Sequence, residues 1–256
     1  MLDPAEAATV AEKFGVSDDQ VRRDHLISHL LAALARHVPD AVVFFGGTAL
    51  ARTHLPEGRL SEDIDLYARP ARADVVAAVE AALETGVLRE YGRLTWEPSL
   101  AAVRDTVPAI LRTQDGLIVR VQLLDPASHP SWPTERRALH QRYSDAPAAT
   151  LTVPTLPAFV ASKTTAWHDR HAPRDLYDLW GLATLGALDA DAAALFARHG
   201  PTGRAPRAWM FRDPPAAEDW NRQLGSQTRI AVDPTEALTV VRDAWEATVN
   251  TVNSVD

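Results

Sequence analysis

Two aspartates and a pair of glycines form the pattern in this sequence that is best suited to chemistry. Gly46-Gly47-Thr48 follows an apolar run, and Ser61-Glu62-Asp63-Ile64-Asp65-Leu66 comes soon after it. On a strand, Asp63 and Asp65 project from one face and can share Mg²⁺ or Mn²⁺ ions that bridge nucleotide phosphates. Two glycines between a strand and a helix let backbone amides approach a phosphate. The pattern predicts half of a metal-dependent phosphoryl site, in which Gly46, Gly47, Thr48 and Ser61 are the candidate phosphate-binding residues.

Each half of this pattern has a simpler explanation when it occurs alone. A Gly-Gly pair can be a structural turn, and an Asp-x-Asp pair can lie on a solvated strand face. The two halves occur here in order, with a predicted helix between them and a serine next to the acidic pair. That combination favours the functional interpretation.

The surrounding segments predict the elements that must hold these residues. Asp3 before Pro4 and Ser17 before Gln20 are typical of helix N-termini, and Gly15 is typical of a helix end. The apolar run that ends at Gly46 predicts a buried strand. The pattern predicts helices over residues 4–14, 18–37, 48–54 and 70–84. It predicts strands over residues 41–45, between the second and third helices, and 63–67, between the third and fourth.

A change of period marks the next part of the chain. Asp115-Gly116 separates residues 109–114 from residues 117–124 and predicts an antiparallel hairpin. The Pro-rich stretch 125–133 is the predicted boundary, and the chain after Leu156 has a helical pattern. We therefore expect an α/β (α+β) protein, with a mixed-sheet lobe over residues 1–130 and a helical lobe over residues 131–256.

The order and spacing of these motif residues resemble the signature of a known family. Gly-Gly-Thr-Ala-Leu followed by Arg-x-Ser-Glu-Asp-Ile-Asp-Leu is similar to the signature of the AbiEii/AbiGii-type nucleotidyltransferase toxins. That group includes the MenT-like toxins and belongs to the DNA polymerase β-like nucleotidyltransferase superfamily. The resemblance covers residues 26–66 and returns at Lys163 and at Arg174–Leu179. It implies a nucleotidyltransferase sheet with flanking helices and a C-terminal helical lobe that completes the active site.

The resemblance also implies roles and partners. It makes Asp63, Asp65, Lys163 and Asp175 catalytic residues, with Asp63 and Asp65 as metal ligands. The implied reaction transfers a nucleoside monophosphate from an NTP to an acceptor hydroxyl at the 3′ end of tRNA, as the toxin of a toxin–antitoxin pair with a cognate antitoxin. A lysine at position 163 could neutralise phosphate charge as pyrophosphate departs. Asp178, three residues after Asp175, faces the same way on a helix and suits either function or an ion pair.

The sequence departs from the wider superfamily on the second strand of the hairpin. A third carboxylate is often found there, but the matching polar face carries Arg120 and Gln122. Gln122 cannot accept the proton of the nucleophile. Asp125, Asp65 or Asp175 must then serve as the base, or the activity is reduced.

A basic and aromatic loop, residues 198–212, is the candidate RNA-binding segment. Its arginines could bind phosphates while Trp209 stacks on an unpaired base, which makes Arg204, Arg207 and Trp209 the predicted contacts. The alternative is a solvated loop that Trp209 and Phe211 anchor to the core. A weaker signal of the same kind comes from Arg136, Arg137 and Arg142, near Trp132.

The histidines give a weaker signal. His25 and His29 are spaced i, i+4, and His168 and His171 are spaced i, i+3, as metal ligands on a helix can be. Neither pair has a recognisable third ligand in the sequence. We therefore predict that they are solvated or capping residues.

Composition excludes several classes of protein. The 256 residues include no cysteine, which rules out disulfides, thiolate zinc sites and a cysteine nucleophile, and the net charge of −8 argues against a general DNA-binding protein. No apolar run is long enough for a membrane span, and the first residues lack a secretory signal, so we expect a cytoplasmic protein. Two alternatives remain: a nucleotidyltransferase that modifies a small molecule or a protein, and a non-catalytic binding module, which Gln122 would favour.

Overall fold

The computed structural model describes residues 1–253. The chain divides into two compact units, Met1–Pro154 and a second unit that begins at Thr155. The predicted boundary after residue 130 falls before two strands, β6 (Thr134–Ala138) and β7 (Thr150–Pro154), which the sequence pattern did not indicate. Both strands pair into the sheet of the first unit, so the division in the structure comes after them.

The first unit is built on a mixed seven-stranded sheet in the order β3-β4-β5-β2-β1-β7-β6. β1 pairs antiparallel with β2 and parallel with β7, while β2 pairs parallel with β5. The predicted hairpin is confirmed as the antiparallel pair β4–β5. The remaining strand bounds are β1 Val42–Phe45, β2 Asp63–Ala68, β3 Thr95–Trp96, β4 Ala109–Arg112 and β5 Ile118–Leu124.

Helices flank this sheet, and the ends of the first two include three predicted caps. Asp3 and Ser17 each accept a backbone hydrogen bond at the start of a helix, and Gly15 ends the first helix in a left-handed conformation. The helices of the first unit are α1 Pro4–Phe14, α2 Asp18–His37, α3 Gly46–Ala51, α4 Arg72–Thr85 and α5 Leu88–Tyr91.

Helix α3 differs from its predicted range, 48–54. It begins at Gly46, so both glycines belong to its first turn. It ends at Ala51 because the N–H groups of Thr53, His54 and Leu55 all turn back to the carbonyl of Leu50. Pro56 follows, and a residue before proline is disfavoured in a helix.

The second unit is helical. Its helices are α6 Leu156–Arg170, α7 Pro173–Thr184, α8 Ala190–His199, α9 Ala217–Leu224 and α10 Pro234–Asn253. Large aromatic side chains fill its core, among them Trp167, Trp220 and Trp245, which are each almost fully buried. Such side chains contribute much of the apolar area that stabilises a unit of this size.

No helix within residues 1–253 combines the length and the apolar character that crossing a bilayer demands.

Candidate active site

The main chain at Gly46 passes directly over the carboxylate of Asp65. β1 and β2 are antiparallel with Phe45 opposite Asp65, so the chain leaving β1 crosses this position of β2. Gly46 has a φ of +79°, and a Cβ placed on it would lie 2.2 Å from Oδ2 of Asp65. Glycine is required here both for its positive φ and for the space that it leaves.

Replacement of Gly46 by alanine is therefore expected to displace Asp65 and to abolish nucleotide transfer. Gly116→Ala is the matched control: Gly116 also has a positive φ, of +92°, but nothing lies within 4 Å of its added Cβ. In each variant the free energy of unfolding should fall by about 1–2 kcal/mol, because alanine is strained at a positive φ. Chemical denaturation measures this loss. Equal activity losses in the two variants would show that contact with Asp65 is not what matters.

Gly47 faces a different pair of side chains. A Cβ on Gly47 would lie 2.6 Å from Nη2 of Arg59 and 3.4 Å from Oγ of Ser61, and both side chains are buried. Arg59 stands two residues before Ser61 in the motif, but sequence reasoning did not single it out as a site residue. A guanidinium that lies against a glycine turn offers donors whose fixed geometry matches a phosphate.

Asp63 and Asp65 lie on the same side of β2, as their spacing predicted. Both are partly exposed, whereas Ile64 and Leu66 between and after them are buried. Two carboxylates on one face supply oxygen ligands of the kind that Mg²⁺ accepts together with substrate phosphates. The residues present therefore fit a divalent metal ion.

Arg120 stands where the wider superfamily often has a carboxylate. The parallel register of β2 and β5 places it opposite Asp63, and its Nε donates to Oδ1 of Asp63 at 2.8 Å. This hydrogen bond and the charge of Asp63 raise the pKa of Arg120. The first aspartate of the pair thus has a cationic neighbour before any metal binds.

The hydroxyl of Thr48 is engaged within the fold. Thr48 is buried, and its Oγ1 donates to the main-chain carbonyl of Asp63. This bond ties α3 to the first residue of β2. It positions the glycine turn relative to the carboxylates, while the backbone N–H of Thr48 remains in the first turn of α3, where N–H groups have no partner within the helix.

Two other polar residues near β5 also have structural partners. The side-chain amide of Gln122 donates to the carbonyl of Asp105 at 3.0 Å. Asp125 accepts from the N–H of Ala127 at 3.0 Å and from the N–H of Arg72 at 3.4 Å, with a different oxygen for each. Asp125 therefore caps a 3₁₀ turn and contacts the start of α4.

Lys163 and Asp175 lie in the second unit, where they form a buried ion cluster. Nζ of Lys163 lies 3.2 Å from Oδ1 of Asp175 and 2.7 Å from Oδ2 of Asp178, and Arg170 binds Asp175 through two nitrogens at 2.6 and 2.9 Å. Burial would raise the pKa of Asp175, but Lys163 and Arg170 hold it at about 2. Lys163 is thus a buried, paired lysine, and Asp178 belongs to the same cluster.

The basic loop, residues 198–212, has one buried end and one exposed aromatic residue. Phe211 is buried, and Nε1 of Trp167 donates to the carbonyl of Met210 at 2.9 Å. Trp209 is 48% exposed, and Arg204 and Arg207 are exposed beside it. The loop is anchored by Phe211, while the half-exposed Trp209 contacts the ring of His168 on α6.

The weaker basic signal, at Arg136, Arg137 and Arg142, is mostly accounted for by contacts within the first unit. Arg142 donates to the carbonyls of Ala51 and Pro56, at 2.9 and 3.1 Å. Arg136 pairs with Asp40, and Arg137 with Glu135.

The prediction for the first histidine pair was wrong. His25 and His29 are neither solvated nor capping: both are buried, and both contact Asp145, which lies in the segment between β6 and β7. In the second pair, His171 is exposed and ends α6 in a left-handed conformation, as a capping residue does.

A mixed sheet that carries a Gly-Gly turn over an Asp-x-Asp strand defines a nucleotidyltransferase, an enzyme that transfers nucleotides. The family model described as "Nucleotidyl transferase AbiEii toxin, Type IV TA system" matches residues 29–250. The chain belongs to this family, as the motif resemblance implied, and it is the nucleotidyltransferase toxin of a type IV toxin–antitoxin system.

Two solved structures share the fold. MenT4, the nucleotidyltransferase toxin Rv2826c from Mycobacterium tuberculosis H37Rv, has a TM-score of 0.73 at 21% identity, with 98% of this chain and 90% of that chain covered. JHP933 from Helicobacter pylori has a TM-score of 0.57 at 15% identity, with 93% and 95% covered. These likenesses confirm the predicted fold class. A search of the curated proteins found no match.

Proposed function

We propose that this enzyme uses Mg²⁺ or Mn²⁺ to transfer a nucleoside monophosphate from an NTP to the 3′-terminal hydroxyl of a tRNA. The observation that carries the proposal is the close approach of Gly46 to Asp65, which brings the turn between β1 and α3 against the carboxylate pair. Membership in the toxin family supplies the NTP substrate and implies a cognate antitoxin. We expect it to act in the cytoplasm, where tRNA and NTPs occur together.

The residues of the first unit suggest how the donor is held. Asp63 and Asp65 would bind the metal ion, which would supply positive charge to neutralise the phosphates. Arg59, Ser61 and the N–H groups of Gly46 and Gly47 would orient the triphosphate. Because the reaction is an in-line displacement, positioning and charge neutralisation account for most of the catalysis expected.

The transfer step forms one bond and breaks one. The acceptor oxygen attacks the α-phosphorus, the bond to the β-phosphate breaks, and pyrophosphate leaves with the electron pair. We assign the acceptance of the hydroxyl proton to Asp65, whose carboxylate lies against the glycine turn. Asp125 is engaged in capping, and Asp175 is fully buried between two cations.

Incubation with labelled nucleotides tests the proposal directly. The pure protein is mixed with total RNA and each of the four α-labelled NTPs, with EDTA or with added Mg²⁺ or Mn²⁺. We expect label in tRNA-sized bands, none with EDTA, and none with the Asp65→Asn variant. Label that enters a protein or a small molecule would show that the acceptor is not tRNA. Transfer in the presence of EDTA would refute the proposed metal dependence.

The exposed residues of the basic loop support RNA as the acceptor. Arg204 and Arg207 are exposed beside Trp209, and no acidic residue lies between residues 198 and 212. In a chain with a net charge of −8, such a segment is a local site for phosphate contacts. An exposed indole can stack on an unpaired base such as a tRNA end offers.

The Arg204→Ala/Arg207→Ala variant is expected to raise the apparent KM for RNA while it leaves the KM for NTP unchanged. Each lost phosphate contact should lower the slope of log K against log salt by about one. Trp209→Ala should cost a further ~1–3 kcal/mol of RNA affinity. The matched control, Arg222→Ala/Arg242→Ala, removes the same charge from an exposed arginine of α9 and a partly exposed arginine of α10. An RNA affinity and salt slope equal to those of the control would make the loop structural.

A further inference from the structure

Three potential metal-ligating side chains converge inside the first unit, on residues that the nucleotidyltransferase chemistry does not use. His25 and His29 lie one turn apart on α2, and Asp145 reaches them from the segment between β6 and β7. Nε2 of His25 is 2.9 Å from Oδ1 of Asp145 and 3.3 Å from Nε2 of His29, and the third distance, His29 to Asp145, is 3.6 Å. The three ligand atoms thus form a compact triangle.

The size of this triangle matches one face of a metal coordination shell. Zinc binds imidazole nitrogen and carboxylate oxygen at about 2.0–2.1 Å in tetrahedral sites, which places neighbouring ligand atoms about 3.3 Å apart. The distances of 2.9, 3.3 and 3.6 Å scatter around that value. A cation at the centre of such a tetrahedron would lie within bonding distance of all three atoms without a large movement, and the fourth corner would remain for another ligand.

Hydrogen bonding alone satisfies the cluster poorly. Nε2 of His25 faces both Asp145 and Nε2 of His29, yet a neutral imidazole nitrogen carries at most one proton. His29 could donate to Asp145, but the 3.6 Å separation is too long for a hydrogen bond. A shared cation satisfies all three atoms at once, because each nitrogen then offers its lone pair.

Neighbouring groups orient two of the three side chains. The other ring nitrogen of His25, Nδ1, is hydrogen-bonded to the hydroxyl of Tyr91, which fixes the ring orientation. The second oxygen of Asp145 contacts the amino group of Met1 at 2.7 Å, which leaves Oδ1 to the histidines.

The cluster is accessible from one side. His29 lines a cleft of about 830 Å³, together with Glu90, Arg36, Arg89 and His37. An ion can enter through this cleft, and water from it can serve as the fourth ligand. A site with three protein ligands and one water is a common arrangement for zinc.

We propose that His25, His29 and Asp145 form a Zn²⁺ site distinct from the carboxylate pair of the active site. Imidazole ligands select zinc over magnesium, which prefers oxygen ligands alone. A bound ion would connect α2 to the segment that leads into β7 and would thereby stabilise the first unit. The proposal does not depend on which acceptor the enzyme modifies.

Competition for zinc against a chromophoric chelator tests the site in the metal-free full-length protein. We expect one Zn²⁺ per chain, a higher melting temperature with zinc, and no displacement by excess Mg²⁺. Asp145→Asn removes one ligand from a partly exposed position and should weaken binding by at least ~100-fold. Two controls should bind zinc as the wild type does: His37→Ala, which removes an exposed histidine of the same cleft, and Asp65→Asn, which alters the active site.

A second measurement, on the wild-type protein, tests the site even if Asp145→Asn fails to fold. Co²⁺ bound to the wild-type protein should give the intense visible absorption of a tetrahedral site, which Zn²⁺ should abolish. Wild-type protein that binds Zn²⁺ no better than Asp145→Asn, or a weak octahedral Co²⁺ spectrum, would overturn the proposal. Loss of zinc binding in Asp65→Asn with retention in Asp145→Asn would assign the ion to the active site and also overturn it.

Discussion

Asp63→Asn and Asp65→Asn are each expected to reduce nucleotide transfer by at least ~10²–10³-fold while the fold remains intact. Asparagine keeps the shape of the side chain, including the space beneath Gly46, but it removes the charge that attracts the metal. The free energy of unfolding should change by about 1 kcal/mol or less, since both residues are partly exposed and the contact of Asp63 is with the half-exposed Arg120. Label transfer and chemical denaturation measure the two quantities.

The control for this pair is Asp74→Asn, which changes an exposed carboxylate in the first turn of α4. It should retain wild-type transfer. Normal rates in either Asp63→Asn or Asp65→Asn would refute the assignment of the metal site. A large loss of stability in the two variants would mean that they reduce transfer by destabilising the fold.

Lys163→Met is expected to have the largest effect on stability, about 3–5 kcal/mol, because it leaves two buried carboxylates without their shared cation. Nζ of Lys163 lies between Asp175, which is fully buried, and Asp178, which is nearly so. The family resemblance also predicts a loss in NTP use of roughly 10²-fold, with partial rescue by Lys163→Arg. Denaturant unfolding measures the first effect, and initial rates per folded molecule measure the second.

Two further variants separate the effects of Lys163. Arg170→Met removes an exposed partner of the same Asp175 and should cost no more than about 1 kcal/mol. Lys163→Met combined with Asp178→Asn should recover part of the lost stability, because one buried charge disappears with its partner. If Lys163→Met unfolds as the wild type does, the buried cluster does not stabilise the second unit. If its rates per folded molecule are also normal, Lys163 has no role toward the nucleotide.

Local signals were sufficient to predict much of the first unit. The caps at Asp3 and Ser17, the turn at Asp115-Gly116 and the alternation along β5 all correspond to observed elements. These features depend on residues that are close in sequence, where capping and turn preferences act. The placement of Asp63 and Asp65 on the same face of β2 followed from strand periodicity alone.

Two strands could not be predicted because their stability comes from distant contacts. β7 contains only five residues, and it pairs with β1 across a long stretch of intervening chain. β6 contains Glu135, Arg136 and Arg137, a charged sequence that does not suggest a strand. Such charges are tolerated because β6 lies at the edge of the sheet.

The side-chain clusters also depend on residues that are distant in sequence, so they could be predicted only in part. The spacing of His25 and His29 was visible, but their third partner, Asp145, lies 120 residues after His25. Arg59 was present in the motif, but its guanidinium comes against Gly47 only in the folded chain. The spacing of Asp175 and Asp178 indicated a shared helix face, but it did not show that both carboxylates would be buried against Lys163.

The parallel pairing of β1 with β7 has a consequence for synthesis on the ribosome. β1 is the apolar sequence Val42–Phe45, and β7 covers one of its edges. Until residue 154 has emerged, that edge of the nascent chain exposes unpaired N–H and C=O groups beside apolar side chains. Exposed edges of this kind attract strands from other chains. A polypeptide that stops near residue 130 would therefore be expected to depend on chaperones and to aggregate more readily than one that extends through β7.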